Sequence, residues 1–81
     1  MKIAYKARAV DAIRNTPAAV RKAFFKQTKL LSKNPRHPSL RAKKFEETKG
    51  LWQARVNRDW RFYFKIQTDA YVISDLIPHP K

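Results

Sequence analysis

The run Trp60-Arg61-Phe62-Tyr63-Phe64-Lys65-Ile66 constrains this chain more than any other feature. Every even position is large and apolar, and the odd positions are Arg61, Tyr63 and Lys65. A period of two is that of a β-strand, whose successive side chains point to opposite faces. One face of this strand must therefore be covered, and the other is free. Leu51–Val56 repeats the pattern, with Trp52, Ala54 and Val56 on one side and Gln53 and Arg55 on the other. With Arg41–Phe45 and Tyr71–Ile77 the chain has three or four strands. Asn57-Arg58-Asp59 and Gln67-Thr68-Asp69 are turn-like links, so the last three strands form an antiparallel meander. Lys49-Gly50, holding the sole glycine, marks the earlier turn. In Tyr71–Ile77 either alternate set could face inward. Met1–Ala4 reads as a short edge strand.

The cover has to come from the first half of the chain. Ala7, Val10 and Ile13 give Lys6–Arg14 a helical stripe. Asn15-Thr16-Pro17 reads as a stop and restart, with Thr16 as N-cap and Pro17 at the first helical position. The second helix runs from Pro17 to about Lys33 and buries Val20, Ala23, Phe24, Leu30 and Leu31. Asn34-Pro35 ends it, because a residue before proline avoids the helical region. The expected fold class is α+β, with two N-terminal helices packed on one face of a small antiparallel sheet. At 81 residues this is one domain, 1–81, with a thin core.

Charge then points to a partner. Nineteen Lys and Arg against six Asp and Glu leave a net +13, a self-repelling excess that suits an acidic partner. Lys22, Lys26, Lys29 and Lys33 form a line along one side of the second helix, either a solvated face or a docking stripe. The free sheet face carries Gln53, Arg55, Arg61, Tyr63 and Lys65, joined by Arg41 and Lys43 if the neighbouring strand is in register. None is acidic. Like charges facing each other across strands are unfavourable alone, so this face is expected to form an anion-binding groove in which arginine makes bidentate phosphate contacts. Trp52, Trp60 and Phe64 belong to the core, which leaves Tyr63 as the candidate for stacking on a base.

The absence of cysteine excludes disulfides, Cys-based zinc sites and thiol catalysis. Two His and six acids without close ligand spacing give no metal site, and one glycine cannot build a phosphate-cradling loop. No cofactor is expected. No apolar run approaches the ~18 residues that span a bilayer and no signal-peptide core is seen, so no membrane association is expected and the cytoplasm is the expected compartment. Metal-free RNA cleavage remains open, because the RNA supplies its own 2′-hydroxyl as nucleophile. The protein need only move protons and hold the charge building on phosphorus. Arg55, Arg61 and Lys43 suit the charge role. His79, in Pro78-His79-Pro80, reads either as a proton-transfer group or as a surface residue. His37, bracketed by prolines, reads as loop decoration.

This order of elements resembles the RelE/ParE superfamily of bacterial toxins. Asn34-Pro35-Arg36-His37-Pro38-Ser39-Leu40, followed by Lys43-Lys44, is similar to the loop and strand start of RelE-like toxins. Leu51–Val56 with Asp59–Ile66 resembles their central hairpin, and Ile77-Pro78-His79 the C-terminal His of the YoeB and YafQ branches. The resemblance implies a toxin of a type II toxin–antitoxin system: a ribosome-dependent mRNA endoribonuclease bound by an acidic antitoxin in a hetero-oligomer. It places Arg61 on phosphate, His79 in proton transfer, Arg55 at a basic site position, and Lys43 or Lys44 as the basic residue of the earlier strand. With the open-face reading, Arg61, His79, Arg55 and Lys43 are the catalytic candidates, and Lys44, Tyr63, Lys65 and Arg41 the RNA-binding ones. The sequence departs from the YoeB branch where a catalytic Glu is expected, at Ser39 and Leu40. The alternatives are a ParE-like inhibitor of DNA gyrase, and an inactive member that only binds antitoxin or RNA.

Overall fold

A computed structural model describes residues 1–80. Strand β1 (Lys2–Tyr5) leads into helices α1 (Ala7–Arg14) and α2 (Ala18–Lys33), then β2 (Lys43–Glu46), β3 (Leu51–Arg55), β4 (Trp60–Gln67) and β5 (Ala70–Pro78). The five strands form one sheet in the order β1-β5-β4-β3-β2. The expected meander is present, with β2, β3, β4 and β5 antiparallel in turn. The N-terminal strand is also real, but it lies parallel to β5, so the sheet is mixed. A parallel neighbour requires a crossover, and α1 with α2 and the meander supply it.

The helices cover the aromatic face, as the β4 alternation requires. Phe24 of α2 is fully buried and meets Phe62 edge-on at 5.3 Å, while Trp52 stacks on Phe64 at 6.2 Å. Offset and edge-on rings are the preferred aromatic geometries. Leu31, Leu40, Ile73 and Leu76 complete the core. The expected stripe of α1 is rotated, and that of α2 is present but wider. In α1 the buried residues are Ala9 and Ile13, whereas Val10 is 38% exposed. In α2, Phe24 and Leu31 are buried and Val20, Ala23 and Leu30 are partly covered, but the polar Gln27 and Thr28 are buried as well. Thr16 does not cap α2. Its hydroxyl donates to the Ala12 carbonyl at 2.6 Å, closing the end of α1, and Pro17 takes the cap position.

The ambiguity of the last strand has a local cause. Tyr63 pairs with Asp75 but Phe64 pairs with Ile73, so Ser74 is an extra residue in β5. Such a bulge reverses the alternation. Tyr71 and Ile73 are buried before it and Leu76 after it, so neither alternate set faces inward along the whole strand. Ser74 also donates its hydroxyl to the Tyr63 carbonyl.

Truncation at the helix–sheet contact should be severe. Phe24→Ala is expected to lower the unfolding free energy by about 3–5 kcal/mol, with Phe24→Leu costing less. Urea denaturation followed by tryptophan fluorescence measures both.

Candidate functional site

The open face of the sheet is built in rows. Arg55 and Arg61 are direct partners across β3 and β4, and Arg61 faces Ile77 of β5. The next row is Lys43, Gln53, Tyr63 and Asp75. His79 lies two residues beyond Ile77 and therefore on the same face; its backbone N–H donates to the Asp59 carbonyl at 2.7 Å, anchoring the strand end. Arg41, Lys43, Gln53, Arg55, Arg61 and His79 line one concavity of about 330 Å³. Five of these six were expected as site residues, and here they converge.

Each cation is held by a different device. The Arg61 Nη1 donates to the carbonyls of Asn57 at 2.7 Å and Trp60 at 2.9 Å, which fixes the guanidinium over the β3–β4 turn. Partial burial, then the charges of Arg55 and Arg41, lower the Arg61 pKa from its ordinary value. Arginine nevertheless stays charged at neutral pH. Among the described residues the three ion pairs are Lys2–Asp69, Arg8–Asp75 and Lys49–Glu46, so no cation of the concavity is in an ion pair, although the Asp59 carboxylate acts on Arg61 at longer range. Asp75 shares the open face but pairs with Arg8, at 3.3 Å, away from the arginines.

Arg41 is not in β2, as the sequence pattern implied. It follows the 3-10 turn Pro38–Leu40 with φ 45° and ψ 41°, in the left-handed region. That conformation costs a non-glycine residue roughly 1–3 kcal/mol and is held by its surroundings. Gln27, buried and absent from the sequence-based site, provides part of the hold. Its Nε2 donates to the Ser39 carbonyl at 3.2 Å and the Arg55 carbonyl at 2.9 Å, tying α2 to the loop and to the end of β3. The signal was a polar residue on the buried stripe of a helix.

Other candidates lie elsewhere. Lys44 points to the opposite face, its Nζ 5.9 Å from the Trp52 ring, because it is one residue out of phase with Lys43. Lys65 shares the open face but pairs with Leu51 and Val72, at the far end from His79. Tyr63 is only 8% exposed. Its hydroxyl accepts from Gln53 at 2.8 Å and its ring abuts Phe45 at 5.0 Å, so it supports the surface rather than offering a free ring. His37 accepts from the Ser39 N–H and caps the 3-10 turn.

No protein-family model and no curated protein matches this sequence. Solved structures do. The fold superposes on a YoeB/ParE toxin from Agrobacterium tumefaciens with a TM-score of 0.80 at 14% identity, covering 99% of this chain and 100% of that one. An archaeal RelE–RelB complex from Pyrococcus horikoshii matches at 0.77 and 22% identity, covering 95% and 92%. YafQ from E. coli matches at 0.76 and 18%, covering 96% and 92%. At these identities the likeness is one of fold, and the expected RelE-like α+β architecture is the one observed.

Two substitutions separate stability from binding. Arg41→Gly removes the left-handed strain, so thermal denaturation should show an unchanged or higher melting temperature. Gln27→Met keeps the side-chain volume but withdraws a donor from two carbonyls, and should cost about 1–3 kcal/mol in denaturant unfolding.

Proposed function

We propose that this RelE-like domain is the toxin of a type II toxin–antitoxin system, cleaving mRNA on the ribosome without a metal ion. The reading is carried by one observation: Arg41, Lys43, Arg55 and Arg61 converge with His79 in one concavity, and none of these cations is in an ion pair among the described residues. An uncompensated cluster of that kind suits a phosphodiester, whose charge increases in the transition state.

In the proposed reaction the 2′-hydroxyl attacks the adjacent phosphorus, the bond to the 5′-oxygen breaks, and a 2′,3′-cyclic phosphate and a 5′-hydroxyl result. Arg61, oriented by the Asn57 and Trp60 carbonyls, holds a non-bridging oxygen. Arg55 stands directly opposite and takes the second, with Lys43 and Arg41 adding positive potential. His79 donates a proton to the departing 5′-oxygen, and the proton of the attacking 2′-hydroxyl passes to solvent water. The antitoxin would be an acidic protein, drawn by the +13 charge and by the exposed line of Lys22, Lys26, Lys29 and Lys33. The domain works in the cytoplasm on this reading, and among the described residues no helix is long and apolar enough to cross a membrane.

In a translation extract the wild type should cut mRNA, and His79→Ala should cut about 10²–10⁴-fold more slowly. Arg61→Ala should fall to a comparable or lower rate. Unchanged cutting in both variants would remove these residues from the site. Intact mRNA together with inhibited DNA supercoiling would replace the nuclease reading with a gyrase inhibitor.

A further inference from the structure

Next to the cationic concavity, the same sheet face carries a second, apolar depression lined by Phe45, Leu51, Tyr63 and Ile77. Phe45 is 55% exposed, the most exposed of the large apolar side chains, in a protein whose core is thin. It is not a loose loop residue. A bulge between Lys44 and Glu46 places it at the end of β2, and its ring meets Tyr63 at 5.0 Å and 70°. Tyr63 is itself fixed by the 2.8 Å hydrogen bond from Gln53, which also lines the cationic concavity. The chain thus holds an aromatic ring rigidly, presents its outer side to solvent, and connects its support directly to the arginine site.

From this placement we infer that Phe45 is a base-stacking platform that positions a nucleotide beside Lys43, one row along the sheet from the phosphate held by Arg55 and Arg61. The inference rests on the ribonuclease reading and names a specificity residue within it. Lys43 and Phe45 are two residues apart on one strand, roughly 7 Å at the usual rise of a strand. The Arg55–Arg61 row lies a further two residues along, again roughly 7 Å, so Phe45 is set to take a base one nucleotide removed from the phosphate at the arginines. A ring buttressed edge-on keeps its outer side free for a second aromatic partner. The depression's rim carries Lys6 and Arg8, with Asp75 occupied by Arg8, so it is also compatible with the charge of an RNA backbone. Stacking is sequence-tolerant because every base has a π-face, so Phe45 would set where the strand lies, and thereby which bond meets His79.

The test uses the full chain and single-stranded RNA oligonucleotides carrying 2-aminopurine at successive positions. Wild type should quench the fluorophore strongly at one position. Phe45→Leu, which keeps an apolar side chain against Tyr63 but has no π-face, should lose that quenching and bind about 5- to 150-fold more weakly. Phe45→Trp should restore both. Removing the base at the quenched position should weaken the wild type and leave Phe45→Leu unaffected. Circular dichroism melting of each variant reports folding, which a half-exposed side chain should hardly alter. If Phe45→Leu binds and quenches like wild type while Arg61→Ala binds weakly, stacking at Phe45 is wrong and the RNA reading stands. If the wild type neither binds nor cuts RNA, both are wrong.

Discussion

In β4, neighbouring side chains point to opposite faces, and this sends Phe62 and Phe64 into the core while Arg61 and Tyr63 stand on the other side. The aromatic half draws α2 onto the sheet through Phe24. The polar half is left largely open, reached at one end by Lys6 and Arg8, and Arg55 and Arg61 converge on it at the other. Core and candidate site are two sides of one strand. A shift of one residue in its register would exchange them, and the pairing of β4 with both β3 and β5 prevents that shift.

The concavity is electrostatically unfavourable on its own. Arg55 and Arg61 are direct cross-strand partners of like sign, and Arg41 adds a third charge from a left-handed backbone position. Like charges placed opposite each other destabilise a sheet, and a strained backbone adds to that cost. A small domain tolerates both when something that binds the native state compensates. Local supports point the same way. Backbone carbonyls hold Arg61, Gln27 ties the loop bearing Arg41 to Arg55, and the Asp59 carbonyl anchors His79. These groups are oriented without being neutralised, a state that costs least when an anion completes it.

Much of this was legible in the residues. The meander, the one-sided cover, and the grouping of Arg55 with Arg61 follow from period-two alternation and turn residues; Lys43 joins them only with the right register, and His79 through the family resemblance. The misplacements have two causes: local alternatives that residue type does not decide, and contacts between segments distant in sequence. Lys44 was grouped with Lys43 although adjacent strand residues oppose each other. Tyr63 reads as free in the sequence because alternation reports a face and not its coverage, and Phe45 covers it. Phe45 carries no signal of its own in the sequence, being a single aromatic near a strand end. Thr16 resembles a cap in sequence, yet the hydroxyl finds the carbonyl of Ala12 in the preceding turn.

The sequence by itself determined the alternation, the helix–turn–helix order, the charge excess and the identity of the cations, because these are local properties of residue type and spacing. Only the tertiary structure decided that β1 runs parallel to β5, that Ser74 reverses the phase of the last strand, and that Arg41 is set at the mouth of the concavity by a left-handed turn. The physical reason is that pairing direction, bulges and strained backbone are selected by the total packing of the chain. No short window of residues contains the helix, loop and strand that together satisfy Gln27 and bring five basic side chains to one place.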